Sequence, residues 1–482
     1  MSERYALMRR LKLLALGLIV SSGGALAQTG PGLFRAGAAT SNITPDLGAP
    51  IVGGWESPAA THIHDELHAR CLALDDGRTR LAIVVCDNVG IARAAFEEAK
   101  RLIHEATGLP GAHMLMAATH THSGPSARGP LAFAYGAPLD DYQRLLARRI
   151  ADGVRRALHN LEPARIGWGV GREPGQVFNR RWRMKPGTPL PNPFGGQDRV
   201  LMNPGIGNPN LLEPAGPVDP DITFLSVQAT DGRPIALLAN YSLHYVGGTG
   251  GPQISADYFA MFADRIQQLL GADRLDPPFV GILSNGTSGD VNNISVRDQP
   301  ERLPPYHKMR QVANVVAAEV YKVYQTVRHQ DGVELRARQR ELELAVRKPT
   351  AEQLARARGI LARPADAKPA HVHEVEYARR TLALADLPDR IQVPVQALGI
   401  GPVAIAAVPF EVFAETGLEI KQKSPYKPTF TIELANGWYG YLPTPEQHEL
   451  GGYETWLGTN RVEVHASRKI VAALLELFGD LR

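Results

Sequence analysis

Two cysteines among 482 residues are too few for a disulfide framework. They flank a turn at Asp75-Asp76-Gly77-Arg78. With Leu74 opposite Arg80, Cys71 falls opposite Ile83, and Cys86, three residues further on, faces the other side. That separation is too large for a bridge, so two free, buried thiols are expected. Net charge is also lacking. The chain sums to +3, and residues 1–27, with four Lys/Arg and one Glu, account for all of it. A near-neutral remainder argues against a nucleic-acid footprint, although Arg180, Arg181 and Arg183 leave room for a local basic patch. No later stretch is long and apolar enough to span a bilayer, so no transmembrane segment is expected in the mature chain. There is no internal repeat.

The amino terminus reads as an export signal. Arg4, Arg9, Arg10 and Lys12 precede the apolar run Leu13 to Val20, and Ala25-Leu26-Ala27 forms a small-x-small cleavage site before Gln28. No cysteine follows that would carry a lipid anchor. Residues 28–482 are then expected to form one large exported domain, periplasmic or secreted.

Strands are expected near residues 33–43, 70–74, 81–87, 113–119, 165–172, 223–229, 234–241, 279–284, 334–346, 391–400, 403–408 and 429–434. Helical periodicity covers 91–107, 140–160, 256–270, 305–328 and 464–478, with a helix from Glu411. Residues 350–385 read as a helical insertion split by the Pro364–Pro369 loop. The alternation predicts an α/β fold with a mixed sheet flanked by helices. Residues 173–221, rich in Pro, Gly and Asn, read as a long loop or lid over a pocket.

The most informative run is Thr119-His120-Thr121-His122-Ser123-Gly124-Pro125, after the apolar stretch 114–118. At strand spacing, i and i+2 share a face, so both imidazoles would look into one pocket at the strand's carboxyl end. Such a pair suits metal binding or proton transfer, and loop histidines satisfied by hydrogen bonds have the same spacing. Other strand ends carry His244, the run Asn285 to Asn293, Glu411 after Val408-Pro409-Phe410, and Tyr441 in Asn436 to Tyr441. Two imidazoles and a carboxylate make a catalytic zinc set, and a tyrosine oxygen is an unusual fourth ligand.

Together these segments resemble the catalytic domain of the neutral (alkaline, non-lysosomal) ceramidases. The resemblance runs from Ala36-Gly37-Ala38 to the Tyr441 loop. It includes His64-Asp65, Phe178-Asn179-Arg180, the strand ending at His244, Gly289-Asp290-Val291 and the Glu411 turn. It implies Zn²⁺ held by His120, His244, Glu411 and Tyr441, with His122 transferring protons and Arg180 contacting substrate or developing negative charge. Asp290 would orient a ligand imidazole from behind. The chain departs from the family pattern Gly-Asp-Val-Ser-Pro-Asn, because Asn292 stands at the serine position. A serine nucleophile is thereby lost, whereas zinc-activated water survives, and Asn292 could still hydrogen-bond substrate. The chain also ends without the family's C-terminal β-sandwich.

The implied activity is zinc-dependent hydrolysis of an N-acyl amide bond in a lipid or small molecule, with at most transient contact with a membrane surface. The same zinc enzyme acting on other amides or esters, and a non-catalytic binding homologue, are the alternatives. The metallo-β-lactamase pattern needs Asp-His after the pair, where Ser123-Gly124 stands. Amidohydrolase barrels place the pair on their first strand, and here several elements precede it.

Overall fold

Strands whose residues are apolar on both faces build two sheets that share one core. The computed structural model describes residues 33–129, 138–299, 302–364 and 366–482, so the expected export signal lies outside the described residues. The larger sheet has eight strands, in the spatial order Val280–Asn285, Pro234–Tyr241, Asp221–Ala229, Glu162–Arg172, Arg35–Asn42, His68–Asp75, Arg80–Cys86 and Met114–Ala118. It is mixed: the two edge pairs are parallel and the inner pairs antiparallel. The smaller sheet orders Leu335–Ala345, Arg390–Ile400, Val403–Val408 and Thr429–Glu433.

Period-two alternation assigns each strand's residues to different layers. Leu72, Ile83, Leu115 and Ile282 meet Leu398, Ile405 and Phe430 of the smaller sheet in the central core. Val84, Met116 and Cys71 face the helices Arg93–Thr107 and Asp141–His159. Phe224, Leu237 and Tyr241 face Asp257–Leu269 and His307–Tyr324. The outer face of the smaller sheet, with Val395, Ala406 and Val408, is covered by Ala466–Asp480. The result is helix, sheet, sheet, helix: an α/β fold with mixed sheets flanked by helices. Burial on both faces explains why the strands read as near-continuous apolar runs.

The cysteine hairpin differs from the expectation by one residue. Asp75 pairs with Arg80, so Cys71 lies opposite Val84, and Cys86 lies opposite Ala69. Both thiols therefore face the same helix layer, diagonally displaced, and both are free and buried. The side chains of Asp75 and Asp76 accept backbone N–H groups of Gly77, Arg78 and Thr79, which extends the ladder into the turn and sets this register.

Residues 173–221 are not a bare loop. Arg181–Met184 pairs with Val200–Met202 and with Leu211–Pro214 in a small sheet, over a satellite core of Trp182, Met184, Leu190 and Val296. Strands of three and four residues are too short to show a period. The helical insertion is as expected, with Ala351–Leu361 packed on Glu374–Ala385.

One buried polar junction ties the sheets together near the site. Asn436 donates its amide to Gln396 Oε1 at 2.8 Å, and Gln396 donates to the Ala112 carbonyl at 2.8 Å. The Asn436 backbone N–H meets the Met116 carbonyl at 2.7 Å. Replacing Gln396 by Leu orphans these partners. The expected loss is ~2 kcal/mol of unfolding free energy in urea denaturation; a loss below ~0.5 kcal/mol would show that the junction is dispensable.

Candidate metal centre

The strand Met114–Ala118 ends before the histidine pair. His120 has φ of 70°, a left-handed conformation that a ring-bearing residue seldom adopts. Its N–H bonds the Asn88 carbonyl at 3.0 Å. Its Nδ1 lies 2.5 Å from the Val89 carbonyl, an acceptor that requires Nδ1–H and turns Nε2 towards Glu411. Strand alternation therefore does not bring the two rings together; a strained turn does. His122 stacks on Tyr245 with centroids 3.7 Å apart, and its Nε2 lies 3.1 Å from that of His120. Gly53, with φ of 141°, lies so close that a Cβ there would sit 2.5 Å from the His122 ring.

His244 follows the strand Pro234–Tyr241. Its Nδ1 lies 2.9 Å from the Ser288 carbonyl, which again directs Nε2 inward. Glu411 does not start a helix. It lies in Glu411–Val412, whose parallel register sets Glu411 beside Tyr441, and the helix begins at Ala414. Gly289 packs beneath, where a Cβ would meet the Glu411 carbonyl oxygen at 2.6 Å.

The four segments thus converge. Glu411 Oε2 lies 3.3 Å from His120 Nε2 and 3.9 Å from His244 Nε2. Ligand atoms of one tetrahedral zinc ion, at bonds of ~2.0 Å, are ~3.3 Å apart. His120, His122 and His244 place ring nitrogens within 4.8 Å of one another and could hold a metal ion. Two atoms facing this centre, His244 Nε2 and Glu411 Oε2, are buried without a hydrogen-bond partner. Orphaned lone pairs from a nitrogen and a carboxylate oxygen are what a cation would satisfy, so the donor set fits a divalent metal ion.

Burial drives the imidazoles of His122 and His244 well below their usual range, assisted by His120 and Arg180, so both are neutral at pH 7. Burial opposes ionisation of Glu411 too, but His120, Tyr441 and Trp438 together hold it down to about 2. Trp438 donates Nε1–H to Glu411 Oε1 at 3.0 Å. Burial pushes the Tyr441 phenol up, against the pull of Arg180.

Arg180 donates to the Tyr441 hydroxyl at 3.0 Å and to Glu454 at 2.8 Å. Arg181 is fully buried and bonds the other Glu454 oxygen at 2.6 Å. Two of the three arginines that left room for a local basic patch therefore share one buried carboxylate. Asp290 does not orient an imidazole. It accepts Asn179 Nδ2 at 2.8 Å and the Ala414 N–H at 2.9 Å, tying the Arg180 strand to the helix after Glu411. Asn292 donates to Asn203 at 2.6 Å and accepts from Ile294 N–H.

Sequence reading missed the residues behind the centre. Glu433 accepts Ser288 Oγ–H at 2.7 Å and the Val412 N–H at 2.7 Å, bracing the residue that holds His244 and the one beside Glu411. Trp438 lay inside a quoted motif without a role. Glu433 and Glu454 gave no signal, because an acidic residue at a strand or turn end is usually solvated. A cavity of about 650 Å³ opens over His120, His122, Glu411, Tyr441 and Tyr453.

No family model matches the sequence, and no curated protein matches it. Solved structures do. The neutral ceramidase from Pseudomonas aeruginosa superposes with a TM-score of 0.64 at 18% identity, over 93% of this chain and 74% of that one. A structure described as ceramidase complexed with C2 gives 0.65 at 17%, with the same coverages. At such low identity the likeness is one of architecture: the chain has the neutral ceramidase fold, as its histidine, glutamate and tyrosine motifs led us to expect.

Proposed function

We propose that the protein is an exported zinc-dependent hydrolase of N-acyl amide bonds, and that residues 1–27 are its export signal. The observation that supports this most is the convergence of His120, His244 and Glu411, with two buried ligand atoms lacking a partner. In this reading His120, His244, Glu411 and Tyr441 hold the ion. When bound, zinc supplies a Lewis acid that lowers the pKa of water and polarises the acyl carbonyl.

The chain's own residues do the rest. The neutral imidazole of His122 faces the cavity, stacked on Tyr245 and backed by Gly53, so it is positioned to accept a proton from the attacking water. It then returns that proton to the leaving nitrogen. Arg180, oriented by Glu454, places its guanidinium against the Tyr441 oxygen. There it stabilises the developing oxyanion, a contribution of roughly 3 kcal/mol for one good donor. No serine hydroxyl is required, because Asn292 is engaged with Asn203 and Ile294.

Purified protein should carry one zinc ion per chain by elemental analysis. His244→Ala and Glu411→Ala should each lose it, and a chelator should abolish hydrolysis of a panel of N-acyl amides until zinc is restored. Protein that takes up no zinc after reconstitution would overturn the reading. Replacing Asn292 by Ala should change kcat/KM less than ~5-fold, a mark of distance from the reacting atoms; a loss beyond ~100-fold would return this position to the chemistry. Glu433→Gln can keep an acceptor for Val412 N–H while turning a donor to Ser288 Oγ, so zinc affinity should hold. Glu433→Leu should weaken zinc binding ~10–100-fold in competition with a fluorescent chelator.

A further inference from the structure

The cavity over the metal centre has three arginines in its wall, alongside Asp140, Glu376 and Glu411. Arg128, Arg380 and Arg461 all line it. The guanidinium carbons of Arg128 and Arg461 lie 4.5 and 4.7 Å from the centroid of the same indole, Trp438, whose Nε1 in turn bonds Glu411. Arg380 stands over Tyr377 at 5.0 Å and bonds Glu376 Oε1 at 2.9 Å. Arg128 bonds Ser126 Oγ at 2.8 Å and makes no ion pair among the described residues. Burial pushes the Arg461 guanidinium down to about 9, and the charges of Arg380 and Arg128 push it the same way. Guanidiniums that share a low-dielectric wall are stabilised by anionic groups among them, Glu376 on Arg380 and a ligand's oxyanion beside Arg128. A ceramide, which carries no charge, offers none.

Resting on the hydrolase reading above, we propose that Arg128, Arg380 and Arg461 form an oxyanion subsite, so that the substrate is an N-acyl compound bearing a carboxylate or phosphate. Guanidinium forks bind both groups through paired N–H donors. Trp438 fixes the subsite's distance from the centre, because the indole on which Arg128 and Arg461 stack also holds Glu411. Beside the arginines the cavity wall is apolar, formed by Ala383, Leu384 and Leu387 at the end of the helical insertion, a surface suited to an acyl chain.

The test compares two anionic compounds, each with its neutral counterpart. N-dodecanoylglycine is set against its neutral amide, and N-dodecanoyl-O-phosphoethanolamine against N-dodecanoylethanolamine. Binding is measured by calorimetry on the zinc-loaded His122→Ala protein, and turnover on the wild type. At least one anionic compound should bind ≥10-fold tighter than its neutral partner, and which one does distinguishes carboxylate from phosphate. Arg128→Gln and Arg461→Gln should each remove most of that preference, read as a rise in KM for the anionic compound of at least ~10-fold. Equal binding within both pairs overturns the subsite, even if the amides are cleaved. Preferential binding without turnover of any compound by the zinc-loaded wild type sustains the subsite and sinks the hydrolase reading instead.

Discussion

A single buried carboxylate holds the centre together. Glu433 ends the last strand of the smaller sheet, and its oxygens take the Ser288 hydroxyl and the Val412 N–H. Ser288 holds His244 and Val412 follows Glu411, so one side chain sets the spacing between an imidazole and a carboxylate that are far apart in sequence. Burial drives this carboxyl strongly towards its neutral form. Ser288 Oγ–H and the Val412 N–H both donate to it, and these bonds fix where its oxygens lie. These bonds tie the end of the smaller sheet to the turn that follows the larger sheet's edge strand Val280–Asn285.

Around this brace the site is assembled from strained and dry elements. His120 sits at positive φ, and Gly53 and Gly289 are required because a Cβ at either would collide with a site residue. Burial keeps His122 and His244 neutral, while Glu411 stays ionised through its neighbours. Neutral nitrogen donors and an ionised oxygen donor in one dry pocket are the protonation states that a divalent cation needs, available without prior deprotonation. The arginine wall adds a second charge pattern further out, with Trp438 touching both.

Much of the layered fold was legible from periodicity. The strands of both sheets and the major helices fall where apolar alternation or 3.6-residue spacing places them. The failures have local causes. A turn with two consecutive aspartates shifted the cysteine hairpin by one residue, which reversed the face of Cys86 but left both thiols free. The small sheet within residues 173–221 escaped notice because none of its strands is longer than two periods. Asp290 was given an imidazole to orient and instead links Asn179 to a helix N-terminus. Arg180 and Arg181, for which the sequence left a local basic patch open, are buried against Glu454.

The sequence by itself determined which chemical groups this protein can bring to bear: the His120–His122 pair at a strand end, and His244, Glu411 and Tyr441 beyond others. Composition and spacing carry that much, because ligand types are chosen by chemistry. Only the tertiary structure decided which of them share a centre, which atoms are left without partners, and that three arginines stand over it. Those outcomes depend on crossings between sheets and on a few buried bonds between distant residues. Such contacts leave no period in the chain, and a residue's identity does not reveal what lies across from it.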